Sequence, residues 1–274
     1  MNKIHTKKIL VIHTQYRERG GEDIAVDEEI KFLSKFYNVD SLIFSNKFKK
    51  KFLQSLFLIL NYNPVSLRKL NKKIESFNPD ICYLHNTWFE GSSAIIRFLN
   101  KKGIKTIIKI HNSRLNCCNS YFVKNHIDKY QFCNGCGQKR KKYQLFNKTF
   151  LDSYLKSFFV IRHSKKLLSD LIIYKTIVLA LGPFQKNRLI KLGLDTSNIQ
   201  IFHNYLKKVT IEKQKNSSDY FVYAGRVSPE KGVKELIEVF LECKFKNLKL
   251  YVIGDGPQLN ELKHKYNFKN IIFS

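Results

Sequence analysis

No apolar run in this chain approaches the ~20 residues that span a bilayer. The first such run, Ile9 to Ile12, is four residues long and suits a strand better than a secretory signal. Acidic residues are scarce: 22 Asp and Glu stand against 49 Lys and Arg, a formal charge of +27. That balance favours anionic partners in general. The marks of a nucleic-acid binder are nevertheless missing, with no RNA-recognition signature, no helix-turn-helix pattern and no basic tail. The cations are mostly lysines spread through the whole chain beside many Asn, Ile and Phe, a compositional bias, so no nucleic acid is expected as a partner. Six cysteines among 274 residues make no disulfide framework, and the expected location is cytoplasmic. Short-period repeats and low-complexity tracts are absent.

What is present supports packed cores: 43% of residues are hydrophobic and 14% aromatic. Short apolar runs alternate with helical periodicity. Strands are expected at Lys8–His13, Tyr37–Phe44, Ile81–Leu84, Lys105–Ile110, Ile177–Leu181 and Ile199–Phe202. Between them, helices are expected from Glu22 onward (Ala25, Val26, Ile30 and Leu33 on one face), over Pro64–Phe77, Ser92–Lys102, much of Lys142–Tyr174, and Pro183–Leu192. A charged, polar stretch with Asn216-Ser217-Ser218 follows. It divides the chain into a domain at 1–206, a linker at 207–218 and a domain at 219–274. The fold class is α/β, with two Rossmann-like doubly wound domains facing a cleft.

The stretch Tyr220 to Pro257 carries the strongest signal. Phe221 to Ala224 is a β-prone run that stops at Gly225. Val233, Leu236, Ile237, Phe240 and Leu241 form a helical stripe, and Leu248 to Ile253 is a second strand closed by glycine. This is a βαβ unit, whose ligands sit at the carboxyl ends of the strands. Those ends carry Gly225, Arg226, Lys231 and Gly232, then Gly254, Asp255 and Gly256. Glycines let backbone approach a ligand closely, a helix entered after Pro229 offers free N–H groups, and an Arg fork beside a Lys point charge suits a diphosphate. One such loop alone is more often a surface turn; two at successive strand ends favour a ligand site.

The first half holds weaker signals. Gly20-Gly21, followed by Glu22, lies between the first strand and the first helix, where backbone N–H groups can meet a phosphate or a sugar. Two strands end in the same pair, His85-Asn86 and His111-Asn112. A histidine there can bond a sugar hydroxyl or a reacting oxygen, or can be structural. Arg114, in the same loop, could meet an anionic part of a second substrate. Residues 47–60 join a lysine-rich start to Phe52, Leu53, Leu56, Phe57, Leu58, Ile59 and Leu60. They read either as a core helix or as a segment lying in a membrane interface. Cys133-Asn-Gly-Cys136 has metal-knuckle spacing. With Cys117 or Cys118, and with His126 or His163, it could build a structural zinc site; reduced cysteines in a loop are the alternative.

Gly-Arg-Val-Ser-Pro-Glu-Lys-Gly followed by Val-Ile-Gly-Asp-Gly-Pro resembles the donor-binding half of retaining, family-4 type GT-B glycosyltransferases, and the resemblance extends over most of the chain. It implies a GT-B architecture and transfer of a sugar, with retention, from a nucleoside diphosphate sugar to a glycan or lipid-linked acceptor, as in polysaccharide biosynthesis. By that resemblance Arg226 and Lys231 hold the donor diphosphate, Gly20-Gly21-Glu22 matches the double-glycine loop facing the donor, and His111 matches a histidine that contacts the donor sugar. No cofactor is implied for catalysis; Asp-x-Asp is absent and no catalytic divalent metal is expected. Lipid-linked acceptors in the family favour a peripheral membrane contact through 47–60. A relative of this sub-type carries a further cysteine near the position of Val160. The family continues into a Glu-x7-Glu segment gripping sugar and ribose, whereas this sequence stops at Ser274. The second domain is therefore expected to be incomplete, and the alternative function is a catalytically incomplete fragment or binding subunit that needs a partner to complete the donor site.

Overall fold

The computed structural model describes residues 7–16, 19–46, 51–115, 117, 153–205, 219–243 and 248–274, with backbone alone for 51–55. The chain divides into two compact units, Met1–Lys207 and Lys208–Ser274.

In the first unit six parallel strands form one sheet. They are β1 (Lys8–Gln15), β2 (Asn38–Ser45), β3 (Ile81–Leu84), β4 (Lys105–Ile110), β5 (Ile177–Ala180) and β6 (Ile199–Ile201). Their order in the sheet is β2-β1-β3-β4-β5-β6. The chain steps outward from β1 to β2, then returns to lay β3 on the other side of β1. The carboxyl ends of β1 and β3 therefore flank a topological switch point, where two loops part and leave a crevice.

Alternation along the strands sorts side chains to two faces. Leu10, Ile12, Cys82, Leu84, Ile108, Ile110, Val178 and Ala180 point to one face. There they pack against α3 (Pro64–Phe77), α4 (Ala94–Lys101), α5 (Tyr154–Ile173) and α6 (Pro183–Lys191). The helix α3 has the boundaries its sequence dictates: Asn63 caps its start, accepting from the N–H groups of Val65 and Ser66, and Asn78 ends it in the left-handed region. Ile9, Val11 and Tyr83 point to the other face and meet Val26 of α1 (Gly21–Leu33). The expected apolar stripe of α1 is only partly the observed one. Asp23 and Glu29 are buried with Ala25 and Val26, whereas Ile30 and Leu33 are half-buried.

Helix α2 (Lys51–Leu60) is not a core helix in its described part, since Leu56, Ile59 and Leu60 are exposed. The helix expected over 142–174 is seen as α5; residues 142–152 lie outside the described residues.

The second unit is a three-stranded parallel sheet in the order β7-β8-β9, built from β7 (Tyr220–Ala224), β8 (Lys249–Ile253) and β9 (Ile271–Phe273). Helices α7 (Val233–Glu242) and α8 (Leu259–Lys265) cover one face through Val233, Ile237, Phe240 and Leu262, which pack on Leu250, Val252 and Ile271. The helix does not begin directly after Pro229. Residues Pro229–Lys231 form a single 3-10 turn, Gly232 takes φ of 67°, and α7 starts at Val233. The left-handed break costs glycine little, and it separates Lys231 from the helix proper. Helix α8 was not evident in the apolar pattern, having only Leu262 fully buried.

Candidate functional site

The carboxyl ends of β3 and β4 meet α1 and α5 around a notch of about 40 Å³ lined in part by Glu22, His85, Trp88, His111, Arg114 and His163. That volume suits a hydroxyl or a few waters rather than a sugar ring. A larger cavity of about 590 Å³ lies on the α1 face of the same sheet, but its walls are largely apolar, from Phe32, Phe36, Ile107, Leu179 and Phe202 among others. The small notch is where the polar chemistry gathers.

Strand β1 delivers His13, buried, to the switch point. Its Nε2 donates to Asp23 Oδ1 at 2.8 Å, and its Nδ1 accepts from the N–H of Asn86 at 3.4 Å. The same Asp23 accepts the N–H of Gly20 at 2.8 Å. The Gly20 N–H expected to meet a ligand is therefore already engaged inside the chain, while Gly21 stands exposed at the first position of α1.

Just past β1, Tyr16 donates to Glu22 at 2.7 Å and accepts from Arg114 Nη1 at 3.2 Å. The guanidinium of Arg114 lies over two rings, 5.2 Å from Tyr16 and 5.3 Å from Trp88. Stacked this way, a cation keeps its charge in a partly dry site. Asn112 also reaches Glu22, at 3.4 Å. Burial pushes the Glu22 carboxyl up, and the hydrogen bond from the Tyr16 hydroxyl and the nearby Arg114 guanidinium oppose it. Burial likewise pushes up the Tyr16 hydroxyl.

Beneath this layer His85 Nδ1 and His111 Nε2 lie 2.8 Å apart. His85 is almost wholly buried and stacks against His111, so it supports that ring. Burial, with Lys109 and His13 nearby, holds His111 down to about 3 and His85 well below the usual histidine range. Both rings are therefore neutral near pH 7. Strand β4 places Lys109 on the same face, fully buried; its ammonium pairs with Glu29 and donates to the carbonyl of His203 at 3.2 Å. Tyr83 donates to the other oxygen of Glu29 at 2.7 Å.

His163, considered above as a metal ligand, is instead a core residue. Its Nδ1 meets Asn61 Oδ1 at 3.1 Å, its ring stands edge-on to Trp88, and burial lowers it to about 3. Cys117 is buried, Cys133 and Cys136 lie outside the described residues, and no cluster of three potential metal ligands occurs among the described residues.

The second unit holds the other set of candidates. Arg226 and Lys231 are exposed, and their side chains make no hydrogen bond or ion pair among the described residues. Asp255 is exposed as well, its carboxylate accepting the N–H of Gly256 at 2.7 Å. The loops after β7 and β8 bind each other. Gly225 N–H donates to Ile253 O and Val227 N–H to Asp255 O, both at 2.9 Å. A Cβ on Gly254, whose φ is 143°, would lie 1.9 Å from the carbonyl oxygen of Gly225, and one on Gly256 would lie 2.2 Å from that of Val227. Both glycines are thus required for one loop to pass against the other, a need that arises before any ligand.

Residues 207–272 match the family model of glycosyl transferases group 1. The solved structures show the fold. The apo lipopolysaccharide outer core galactosyltransferase WaaB is 15% identical with a TM-score of 0.56, over 97% of this chain and 67% of that one. HepE from Anabaena in complex with UDP is 12% identical with a TM-score of 0.56, over 97% and 68%. HepE with UDP-glucose is 13% identical with a TM-score of 0.54, over 98% and 68%. The chain thus has a parallel α/β fold that matches those of solved GT-B glycosyltransferases, its second unit the smaller. A search among curated proteins finds no match by sequence.

Reasoning from sequence singled out His85, His111, Arg114 and Glu22, which the fold brings together. It missed His13, Tyr16, Asp23, Glu29, Trp88 and Lys109, and it considered His163 as a metal ligand rather than a core residue. A signal existed: His13 shares the face of Ile9 and Val11, Lys109 that of Ile107, and Asp23 and Glu29 fall beside Val26 on the inner side of α1. Charged residues placed where a core pattern wants apolar ones mark a paired network.

Proposed function

We propose that the chain is a glycosyltransferase that moves a sugar, with retention, from a nucleoside diphosphate sugar to a glycan or lipid-linked acceptor. One observation carries this reading. Within the segment that matches glycosyl transferases group 1, Arg226 and Lys231 stand exposed and unpaired among the described residues, in the loop that leaves the carboxyl end of a parallel strand. A diphosphate leaving group gathers negative charge as its bond to the sugar breaks. Two positioned cations neutralise that charge where it develops, the largest electrostatic task in the reaction. The UDP and UDP-glucose held by HepE are ligands of this class.

In this reading 219–274 is the nucleotide-sugar side, 207–218 the linker and 1–206 the acceptor side. Gly225, Gly254, Asp255 and Gly256 shape the donor loop. His111 contacts the donor sugar, Gly21 and Glu22 approach the donor, and the stacked Arg114 takes an anionic part of the acceptor. The exposed Leu56, Ile59 and Leu60, continued by exposed Tyr62 and Val65 and by Tyr154, Leu155 and Phe158 of α5, form an apolar surface suited to a membrane interface. Arg162 Nε, donating to Ile59 O at 2.7 Å, ties α2 to α5.

Calorimetric titration with UDP-glucose and with UDP tests the reading. Binding of either, lost in Arg226→Ala, supports it. Unchanged binding in Arg226→Ala removes the diphosphate assignment.

A further inference from the structure

The layer beneath His111 has a direction. Glu29 accepts from the Lys109 ammonium and from the Tyr83 hydroxyl, so it faces its surroundings as an acceptor. His85 Nε2 lies 4.0 Å from Glu29 Oε2 and is buried without a hydrogen-bond partner. A bare nitrogen lone pair aimed at a buried carboxylate is repelled, whereas an N–H there is attracted, so Nε2 carries the proton of His85. A neutral imidazole has one N–H, which leaves His85 Nδ1 as an acceptor. The 2.8 Å contact to His111 then needs a donor, and His111 Nε2 must supply it. His111 in turn keeps a bare lone pair on Nδ1, and it makes no other hydrogen bond among the described residues.

The other charged and titratable groups around these rings are consistent with that order. His13 stands edge-on to His85 at 6.2 Å and is committed to Asp23 and Asn86. Tyr83 packs against His85 at 4.3 Å with its hydroxyl on Glu29. Neither supplies a competing donor to His85 Nδ1.

We propose that Glu29 and His85 are positioning residues that hold His111 as the Nε2–H tautomer, so that His111 offers its ligand a hydrogen-bond acceptor. Resting on the donor-sugar contact proposed above, this makes the group opposite His111 a hydroxyl rather than a phosphate or carbonyl oxygen. A neutral ring without a free N–H can neither donate to an oxyanion nor attract one by charge.

Nitrogen-15 spectra of the histidine rings, correlated to ring protons through two bonds, test this without a variant. The unliganded chain is expected to show His111 with a protonated Nε2 and a bare Nδ1. A protonated Nδ1 overturns the proposal. A triple variant, Glu29→Leu with Lys109→Met and Tyr83→Phe, removes the carboxylate together with both its donors and leaves no buried charge unpaired. It is expected to turn a single tautomer into a mixture of both. A His111 that stays wholly Nε2–H there shows that Glu29 does not set it, and overturns the proposal. His85→Phe, which removes the acceptor from His111, is expected to give the same mixture.

Titration with UDP-glucose is expected to move the His111 Nδ1 resonance, and titration with UDP or inorganic phosphate is expected to leave it in place. A shift with phosphate overturns the hydroxyl assignment. Absence of UDP-glucose binding altogether sinks that assignment together with the sugar-transfer reading, while the tautomer itself is decided by the unliganded spectrum.

Discussion

Arg226 and Lys231 are the residues on which donor binding should depend most sharply. A charge-assisted hydrogen bond contributes about 1.5–3 kcal/mol. Replacing Arg226 by Ala should therefore weaken UDP affinity by roughly 10- to 100-fold. Lys231→Ala should weaken it less, because a single point charge makes fewer directed bonds than a guanidinium. Titration calorimetry of both variants checks the order. The buried histidines give a second expectation at this scale. His163 falls from the ordinary 6.5 to about 3 on folding, so between those values the unfolded chain binds a proton that the folded chain refuses. Its contribution to stability is intact above pH 6.5 and is lost as the pH falls, by up to ~1.4 kcal/mol per pH unit. His85 acts in the same direction. Urea unfolding of His163→Gln should show a flatter fall in stability between roughly pH 6 and 4 than the parent chain does. An identical slope in both would mean that His163 is protonated freely in the folded state.

At the scale of elements, the paired loops after β7 and β8 act as one piece. Gly254→Ala would drive a methyl group into the Gly225 carbonyl at a φ that disfavours a side chain. Strain of this kind costs about 1–3 kcal/mol. The variant should lower the denaturant midpoint of the second unit and weaken UDP binding together, whereas Arg226→Ala should weaken binding alone. Helix α2 carries a separate expectation. Burying one large aliphatic side chain is worth about 1.5–3 kcal/mol. Leu56→Glu or Ile59→Glu should therefore cut partition onto phosphatidylglycerol-containing vesicles by at least tenfold. Sedimentation with those vesicles that is equal for variant and parent would remove the membrane contact. How these elements arise was partly legible beforehand. The boundaries of α3 follow from Asn63, Pro64 and Asn78, local signals that need no partner. The start of α7 did not follow from Pro229, because Lys231 N–H bonds Ser228 O and Gly232 N–H bonds Pro229 O in a 3-10 turn, and the left-handed Gly232 then separates that turn from α7.

For the whole molecule, the charge of +27 sets the background against which any specific binding is measured. Non-specific attraction to polyanions runs through counterion release and falls steeply with salt. Random DNA should bind weakly and let go as salt rises from about 0.05 to 0.2 M. UDP binding, which uses local contacts, should decline far less over that range. Fluorescence titrations of both ligands across the salt series separate the two. Tight DNA binding that survives the higher salt, with no UDP binding, would favour a nucleic-acid partner after all.

By itself the sequence determined the order of most strands and helices, though not α8, together with the parallel sheets and the two glycine-bearing loops. Each rests on periodicity, turn chemistry or short spacing, which are properties of neighbouring residues. Alternation also assigned His13 and Lys109 to a sheet face. It could not say what they would meet there, because that depends on the order β2-β1-β3-β4-β5-β6, in which strands distant in sequence lie side by side. Only the tertiary structure brought Glu29 of α1 against Lys109 of β4 and within 4.0 Å of His85 at the end of β3. In a dry interior each of those polar groups must find a partner or raise the energy of the fold. The same packing that hid them also fixed how His111 is presented.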